Sequence, residues 1–335
     1  MRLGILSLLS VASCATIAPD PGVPDELPHN GTGQFRLLTE DEVGVNGDVD
    51  GQAIDLPNFG FDSGAVAGGY LFYAGGALRS DASPQDPLLA VGEVDWAGFE
   101  PRQIFRSSPR EDFGFAPGTP VLTASLAWEG DAVFEPWVLE ASSGEVFLYY
   151  RAAGGIGVAR ASSLDATFER AATEPIFTDG ARPSVVQLTD GTFRMYVARN
   201  GMVDAASSSD GVSFGALAPI ELGTDLLDAE SAEMAVSGPG AVAVVTPSDR
   251  QLVRLYFESV RQDGQRIMSL AASEDGQVFE RFERTVLADP DRRAPAPWVL
   301  DPRESLLYST APFEDDGRSF RTLVGGFAPA GGDDS

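Results

Sequence analysis

Glu135-Pro136-Trp137-Val138-Leu139, Glu145-Val146-Phe147-Leu148-Tyr149-Tyr150, Ile156-Gly157-Val158-Ala159-Arg160 and Ser163-Leu164-Asp165-Ala166-Thr167-Phe168 follow one another along the chain. Each of the first three segments is too short and too rich in β-branched and aromatic residues for a helix, and Gly or Asp punctuates every junction, so the run predicts three short strands leading into a closing turn. The same order returns as Arg182-Pro183-Ser184-Val185-Val186, Thr192 to Val197, Met202 to Ala206 and Ser209-Asp210-Gly211-Val212-Ser213-Phe214. A third copy runs from Ala232-Glu233-Met234-Ala235-Val236 through Leu252 to Phe257 and Ile267 to Ala271 to Glu274-Asp275-Gly276-Gln277-Val278-Phe279.

Two looser copies flank these. The first is Asp62 to Val66, Tyr70 to Tyr73, Leu88-Leu89-Ala90-Val91-Gly92 and Asp95-Trp96-Ala97-Gly98-Phe99. The last is Ala296-Pro297-Trp298-Val299-Leu300, Ser305 to Tyr308 and Arg321 to Val324, without the Asp turn. Five units over residues 52–327 give about 55 residues each, the size of a four-stranded propeller blade with some long loops. The fold class is therefore all-β: a five-bladed β-propeller of four-stranded antiparallel blades. The small-residue first strands should line the axis, and the aromatic second strands should pack blade on blade. Because the last unit is one strand short, Phe35 to Leu38 is expected to complete it and close the ring, removing two open sheet edges.

In the turn Ser208 to Phe214 and its counterpart Ser273 to Phe279, Asp caps the backbone, Gly takes the positive φ and Phe plugs the gap between blades. That is a structural pattern, away from the axis where ligands sit.

Composition narrows the chemistry. The chain of 335 residues has 50 acidic and 23 basic side chains, a net charge of -27, one His and one Cys. Every basic residue is Arg. Without Lys, Schiff-base and P-loop chemistry are excluded. His29 lies in a Pro-rich stretch, which removes the imidazole base that Ser and Cys nucleophiles need. Carboxylate chemistry supported by Tyr and Arg is what remains. The negative field repels nucleic acid and disfavours anionic polymers.

Leu3 to Val11 is an apolar run too short to span a bilayer, preceded by Arg2, as in a signal peptide. It ends in Val11-Ala12-Ser13-Cys14, which resembles the lipobox of bacterial lipoproteins. That resemblance implies a signal peptide over 1–13, lipidation at Cys14 and, with Ala15 next, an outer-membrane lipoprotein of the cell envelope. An ordinary secretory signal with an incidental Cys is the other reading. Residues 14–51 read as a disordered, acidic and Pro-rich tether, and 328–335 as a disordered tail. Asn46, Asp48 and Asp50 alternate before Gly51 like the first half of a calcium loop, but Pro57 stands where a bidentate Glu is needed, so a solvated acidic turn is the expectation and no metal is assigned.

The Pro-flanked inner strand, the aromatic second strand, the small-residue third strand and the Ser-x-Asp-Gly-x-x-Phe turn over five units resemble the five-bladed propeller glycoside hydrolases of the arabinanase, xylosidase, fructosidase and mannoside-phosphorylase clans. The resemblance covers residues 55 to 327. It implies carboxylates at inner-strand starts, with a base in the first blade, an orienting acid in the second and a proton donor in the third. Asp62 and Glu135 match the first two positions and are the candidate catalytic residues. Arg182 stands where the donor is implied; Glu174, Glu230 and Glu233 are nearby acids in sequence. Arg182, Trp137, Trp298 and Glu233 are the candidate substrate-binding residues, each with a plainer alternative: Arg182 a salt bridge to Glu135, the two Trp core wedges, Asp62 a turn cap. The implied partner is a neutral glycan, met by a monomer that touches the membrane only through its anchor. A glycoside hydrolase-like enzyme and a non-catalytic propeller that binds glycan or protein both remain open.

Overall fold

The computed structural model describes residues 35–81, 95–110, 112–223, 233–246, 249–282, 286, 292–300, 305–315 and 318–328. The proposed signal peptide, Cys14, Glu230, Leu88 to Gly92 and residues 329–335 lie outside them. Five separate antiparallel sheets form five blades. Blade 1 comprises Phe59–Ala67, Tyr70–Ala77, Gln103–Ser107 and Thr119–Leu122, and blade 2 comprises Val133–Glu140, Val146–Ala152, Gly155–Ala161 and Glu169–Arg170. Blade 3 is Ala181–Gln187, Phe193–Arg199, Met202–Ser208 and Ala218–Pro219. In blade 4, Glu233–Val245, Gln251–Arg261, Arg266–Ser273 and Val278–Arg281 take on an extra parallel strand, Glu221–Leu222.

Blade 5 joins the two ends of the chain. Arg293–Val299, Ser305–Asp315 and Arg318–Ala328 are completed by Arg36–Leu37, with Arg36 opposite Phe327 and Leu37 opposite Gly326. The expected ring closure is present, with the N-terminal strand covering the outer edge of the last strand of the chain. Residues 35–51 are accordingly folded, a correction to the tether expected over 14–51. Their few apolar side chains do the work: Phe35, Leu38, Val43 and Val45 are buried. The short helix Glu40–Val43 is capped by Thr39 and ends at Gly44, whose φ is 58°. The turn at 46–50 is exposed and is organised by Gln52, whose side-chain oxygen accepts from the Asp48 N–H at 2.8 Å while its amide donates to the Ile54 carbonyl at 2.9 Å.

Blade 1 departs from the expected pattern in one respect. Its third strand is Gln103–Ser107, and Asp95 to Phe99 precedes that strand as a 3-10 turn capped by the Asp95 carboxylate on the Ala97 N–H.

The apolar core is not a single mass but five clusters, one between each pair of neighbouring blades. Phe61, Tyr73, Ala296 and Tyr308 join blades 5 and 1, and Phe72, Ile104, Leu148 and Tyr150 join 1 and 2. Tyr149, Ile156, Val185 and Met195 join 2 and 3; Val186, Tyr196, Leu255 and Phe257 join 3 and 4; Tyr256, Met268, Leu270 and Leu307 join 4 and 5. One Tyr recurs at an equivalent place in every second strand, at 73, 149, 196, 256 and 308, and all five are buried.

Their hydroxyls reach across blades. Tyr149 donates to the Gly211 carbonyl and Tyr196 to the Gly276 carbonyl, both at 2.9 Å. Those glycines sit at φ 72° and 69° in the Asp-Gly turns of the following blade. Asp210 accepts from the N–H groups of Val212 (2.8 Å) and Ser213 (2.7 Å), which with its other hydrogen bonds holds its carboxyl down at about 2, against the pull of burial. Asp275 repeats the cap on Gln277 and Val278. The turns are the latches onto which the preceding blade's tyrosine closes.

Candidate functional site at the propeller axis

Each inner strand starts with an irregularity in its register. Between Phe134 and Trp137, Ala181 and Ser184, Ser237 and Gly240, and Arg293 and Ala296, two residues are looped out; between Phe61 and Ser63 only Asp62 is. The four longer bulges share a rule: a residue at positive φ followed by Pro. They are Glu135-Pro136 (φ 52°), Arg182-Pro183 (51°), Gly238-Pro239 (56°) and Ala294-Pro295 (53°). Pro cannot donate to the ladder, and a left-handed residue re-aims the chain, so the pair ends regular pairing at the axis. A positive φ at Glu135 and Arg182, neither of them glycine, costs of order 1 kcal/mol each and marks a place held by its surroundings.

The axial positions are therefore Asp62, Glu135, Arg182, Gly238 and Ala294, one per blade. Glu135, Arg182, Gly238 and Ala294 line a pocket with Ser63, Gly64, Trp137 and the four bulge prolines, and Asp62 stands just outside that lining. Its cavity is only ≈ 20 Å³, where one water needs about 10–15 Å³.

The axial side chains grip one another in sequence around the ring. The Asp62 carboxylate accepts from the Glu135 N–H at 3.3 Å, and the Glu135 carboxylate accepts from the Arg182 N–H at 2.7 Å. Arg182 donates through Nη1 to Glu258 Oε1, and that carboxylate also accepts from the Ala294 N–H at 2.9 Å and from Arg266 at 2.9 Å. Glu258 comes from the second strand of blade 4 and is fully buried. Gly238 makes room for it: a Cβ there would stand 2.5 Å from Glu258 Oε1 and 2.8 Å from Arg182 Nη1.

Electrostatics divide the acids. Burial drives the Glu258 carboxyl upward, but Arg182, the Ala294 N–H and Arg266 outweigh it and hold the group ionised, below the usual carboxylate range. Glu135 goes the other way: burial and the charge of Asp62 raise it despite Arg182 and Arg151. Its ion pairs are long, 3.8 Å to each arginine. Arg182 itself is held protonated, since Glu258 and Glu135 overcome its burial. Arg102 pairs with Asp62 at 3.4 Å and lies between the rings of Trp96 (4.7 Å) and Phe134 (3.7 Å).

Asp62, Glu135, Arg182 and Trp137 are thus brought together. Trp137 is buried and donates through Nε1 to the Val185 carbonyl at 2.8 Å, a wedge between blades 2 and 3. Trp298 and Glu233 are not at the axis. Trp137 faces Tyr149, whereas Trp298 faces Leu306 and it is Ala296 that faces Tyr308. The Pro297-Trp298 match is two residues out of register because the bulge proline is Pro295. Glu233 lies five residues before the Gly238 bulge and is engaged within blade 4 by Arg281, at 2.9 and 2.8 Å, and by Ser259. Glu174 is exposed. Sequence reading missed Glu258, Arg102 and Arg151. Only Glu258 left a signal, an acid within the aromatic strand Leu255-Tyr256-Phe257.

Among the described residues no group of three or more His, Cys, Asp or Glu is placed to hold a metal ion. No protein-family model matches the chain, and no curated protein does. Solved structures do. An endo-arabinase from Bacteroides thetaiotaomicron is 12% identical, covers 80% of this chain and 91% of its own, and superposes with a TM-score of 0.52. A β-xylosidase matches at 0.54 with 13% identity, over 81% and 92%. An α-L-arabinofuranosidase from Podospora anserina matches at 0.53 with 11% identity, over 89% and 98%. The chain shares the five-bladed fold of these enzymes. At such identities the likeness is one of architecture, and activity has to be argued from the site.

Proposed function

We propose that this chain is an extracytoplasmic lipoprotein, anchored in the outer membrane through Cys14, whose propeller binds carbohydrate without cleaving it. The observation that carries the binding reading is Arg182. It stands where the resemblance implies a proton donor, and its guanidinium is committed to the buried Glu258. The carboxylates beside it accept backbone N–H groups from the next blade, a bracing role that, among the described residues, leaves no pair of free acids at the axis. Similarity of fold to carbohydrate-active propellers supports a glycan as the ligand.

One observation favours a hydrolytic reading instead. Glu135 is kept toward its acid form beside Asp62, as a proton donor would be. Incubating the protein with a panel of oligosaccharides separates the two. Saturable binding with no released product is expected; turnover that is lost in Asp62→Asn and Glu135→Gln would establish the hydrolase. For the anchor, Cys14→Ser is expected to abolish labelling by radioactive palmitate and shift the protein to the soluble fraction. Unchanged labelling would sink the lipoprotein assignment.

A further inference from the structure

The axis is filled by its own contacts, whereas the opposite end of blade 2 is open. There the hairpin 142–145 and the turn 162–168 bound a groove of ≈ 550 Å³, inside the range of about 300–1,000 Å³ that small-molecule sites occupy. The axial cavity, at ≈ 20 Å³, has room for a water and none for a sugar ring. Both walls of the groove are fixed from neighbouring blades. The hairpin closes with the Ala141 N–H on the Glu145 carbonyl at 2.8 Å, turns at Gly144 with φ 84°, and is tied to blade 3 by the Ser142 N–H, which donates to Gln187 Oε1 at 2.7 Å. The turn is tied to blade 1: Arg106 Nη1 donates to the carbonyls of Leu164 (2.9 Å) and Ala166 (3.2 Å), and Phe168 is buried behind it. A groove held on both sides in this way is formed before a ligand arrives, so binding costs little ordering of the chain.

Glu145, Arg160, Ser162, Thr167 and Glu169 all line this groove. Arg160 stands directly opposite Glu169 in the strand register, and its Nη1 lies 3.5 Å from Glu145 Oε1, so one guanidinium is set between two carboxylates. Among the described residues that long contact is the only side-chain bond Arg160 makes, and the Ser162 and Thr167 hydroxyls and the Glu169 carboxylate make none. At the axis the corresponding groups are spent on one another; here they face solvent. The guanidinium donates, the carboxylates accept and the hydroxyls do both. Such a mixture fits a ligand whose own groups both donate and accept at close intervals, as the hydroxyls of a sugar do. Two carboxylates to one arginine disfavour an anion, and with only Gly144 and Ala161 as apolar lining the groove offers an apolar molecule little to bury against.

Resting on the carbohydrate reading, we propose that the glycan binds in this groove of blade 2 and not at the axis, and that it is a neutral oligosaccharide whose hydroxyls pair with Arg160, Glu145 and Glu169 and with the Ser162 and Thr167 hydroxyls. The axis then serves to hold the ring of blades together, and the site is built on one blade whose edges its two neighbours keep in place.

Calorimetric titration of the full chain with arabinotriose, xylotriose and galactotriose as neutral probes, and with trigalacturonate as the acidic one, tests this. At least one neutral trisaccharide is expected to bind, about tenfold or more tighter than trigalacturonate. It should lose about tenfold, a difference of about 1.4 kcal/mol, both in Arg160→Ala, which removes the donor, and in Thr167→Trp, which fills the groove. Arg160 and Thr167 are exposed and both variants should melt at the wild-type temperature, so a loss of binding is not a loss of fold. Should Thr167→Trp unfold, Ser162→Trp at the same groove carries the same expectation. Wild-type affinity for the neutral sugar in either variant overturns the groove and leaves the carbohydrate reading standing. Equal or tighter binding of trigalacturonate overturns the neutral assignment, and binding of none of the four sugars overturns both readings.

Discussion

Glu129 and Glu135 lie six residues apart and both are largely withdrawn from solvent, with side-chain exposures of 0% and 12%, yet their environments push them in opposite directions. Glu129 accepts from the backbone N–H groups of Ser125 (2.7 Å) and Leu126 (2.9 Å), from the Tyr150 hydroxyl (2.6 Å) and from Arg170 through two nitrogens (2.6 and 2.7 Å). Burial alone would raise it, but these bonds bring it down to about 2. Glu135 has two arginines no nearer than 3.8 Å, one good backbone donor, and Asp62 alongside, so burial prevails and the group rises. Desolvation is common to both; direct hydrogen bonds to the ionised form are what distinguish a carboxylate that fastens the fold from one left adjustable at a site.

The largest expected effect breaks the contrast outright. Glu129→Gln should cost about 3 kcal/mol, because the mostly buried Arg170 loses its counter-charge. Glu135→Gln should cost less than about 1 kcal/mol, since a neutral carboxamide still accepts the Arg182 N–H. Urea unfolding of both variants checks this; equal losses would show the two acids to be equivalent. The pH dependence sharpens the same comparison. Glu129, depressed from 4.5 to about 2, adds stability that is present above its unfolded value and lost as pH falls from about 5 toward 2. Glu135, raised, adds stability that is complete below about 4.5 and declines as pH rises through its folded value. Relative to the wild type, Glu129→Gln should therefore recover on acidification and Glu135→Gln should gain on alkalinisation. Melting curves from pH 3 to 8 that move in parallel for the two would contradict the assignment. The smallest effect concerns the blade latches. Tyr196→Phe should cost about 1–2 kcal/mol by orphaning the buried Gly276 carbonyl, with little change in binding. A larger loss of binding than of stability would place that tyrosine in the site.

Much of the fold was legible because period-two aromatic strands and Asp-Gly turns are local signals. The turns at Asp210 and Asp275 cap themselves, and five repeats of about 55 residues admit few architectures. Even ring closure could be expected from the missing strand of the last unit. Blade 1 was less readable, since its third strand follows a 3-10 turn where the repeat would place it before the turn. At the axis, Asp62, Glu135 and Arg182 were visible as inner-strand starts. Trp298 and Glu233 were misplaced because the defining bulge is a backbone event, a positive φ before Pro, and Gly238-Pro239 and Ala294-Pro295 carry no side chain that announces it.

By itself, the amino-acid order determined the strands, their turns, the number of blades and the restriction of chemistry to carboxylates and arginines, since these depend on neighbours in sequence and on composition. Only the tertiary structure decided which charges meet. Glu258 reaches Arg182 across 76 residues because Gly238 leaves the space, and Arg102 is held by Phe134 from the next blade. Those contacts are set by register, bulge and blade packing, which bring distant residues within a few ångströms, and no spacing along the chain encodes them.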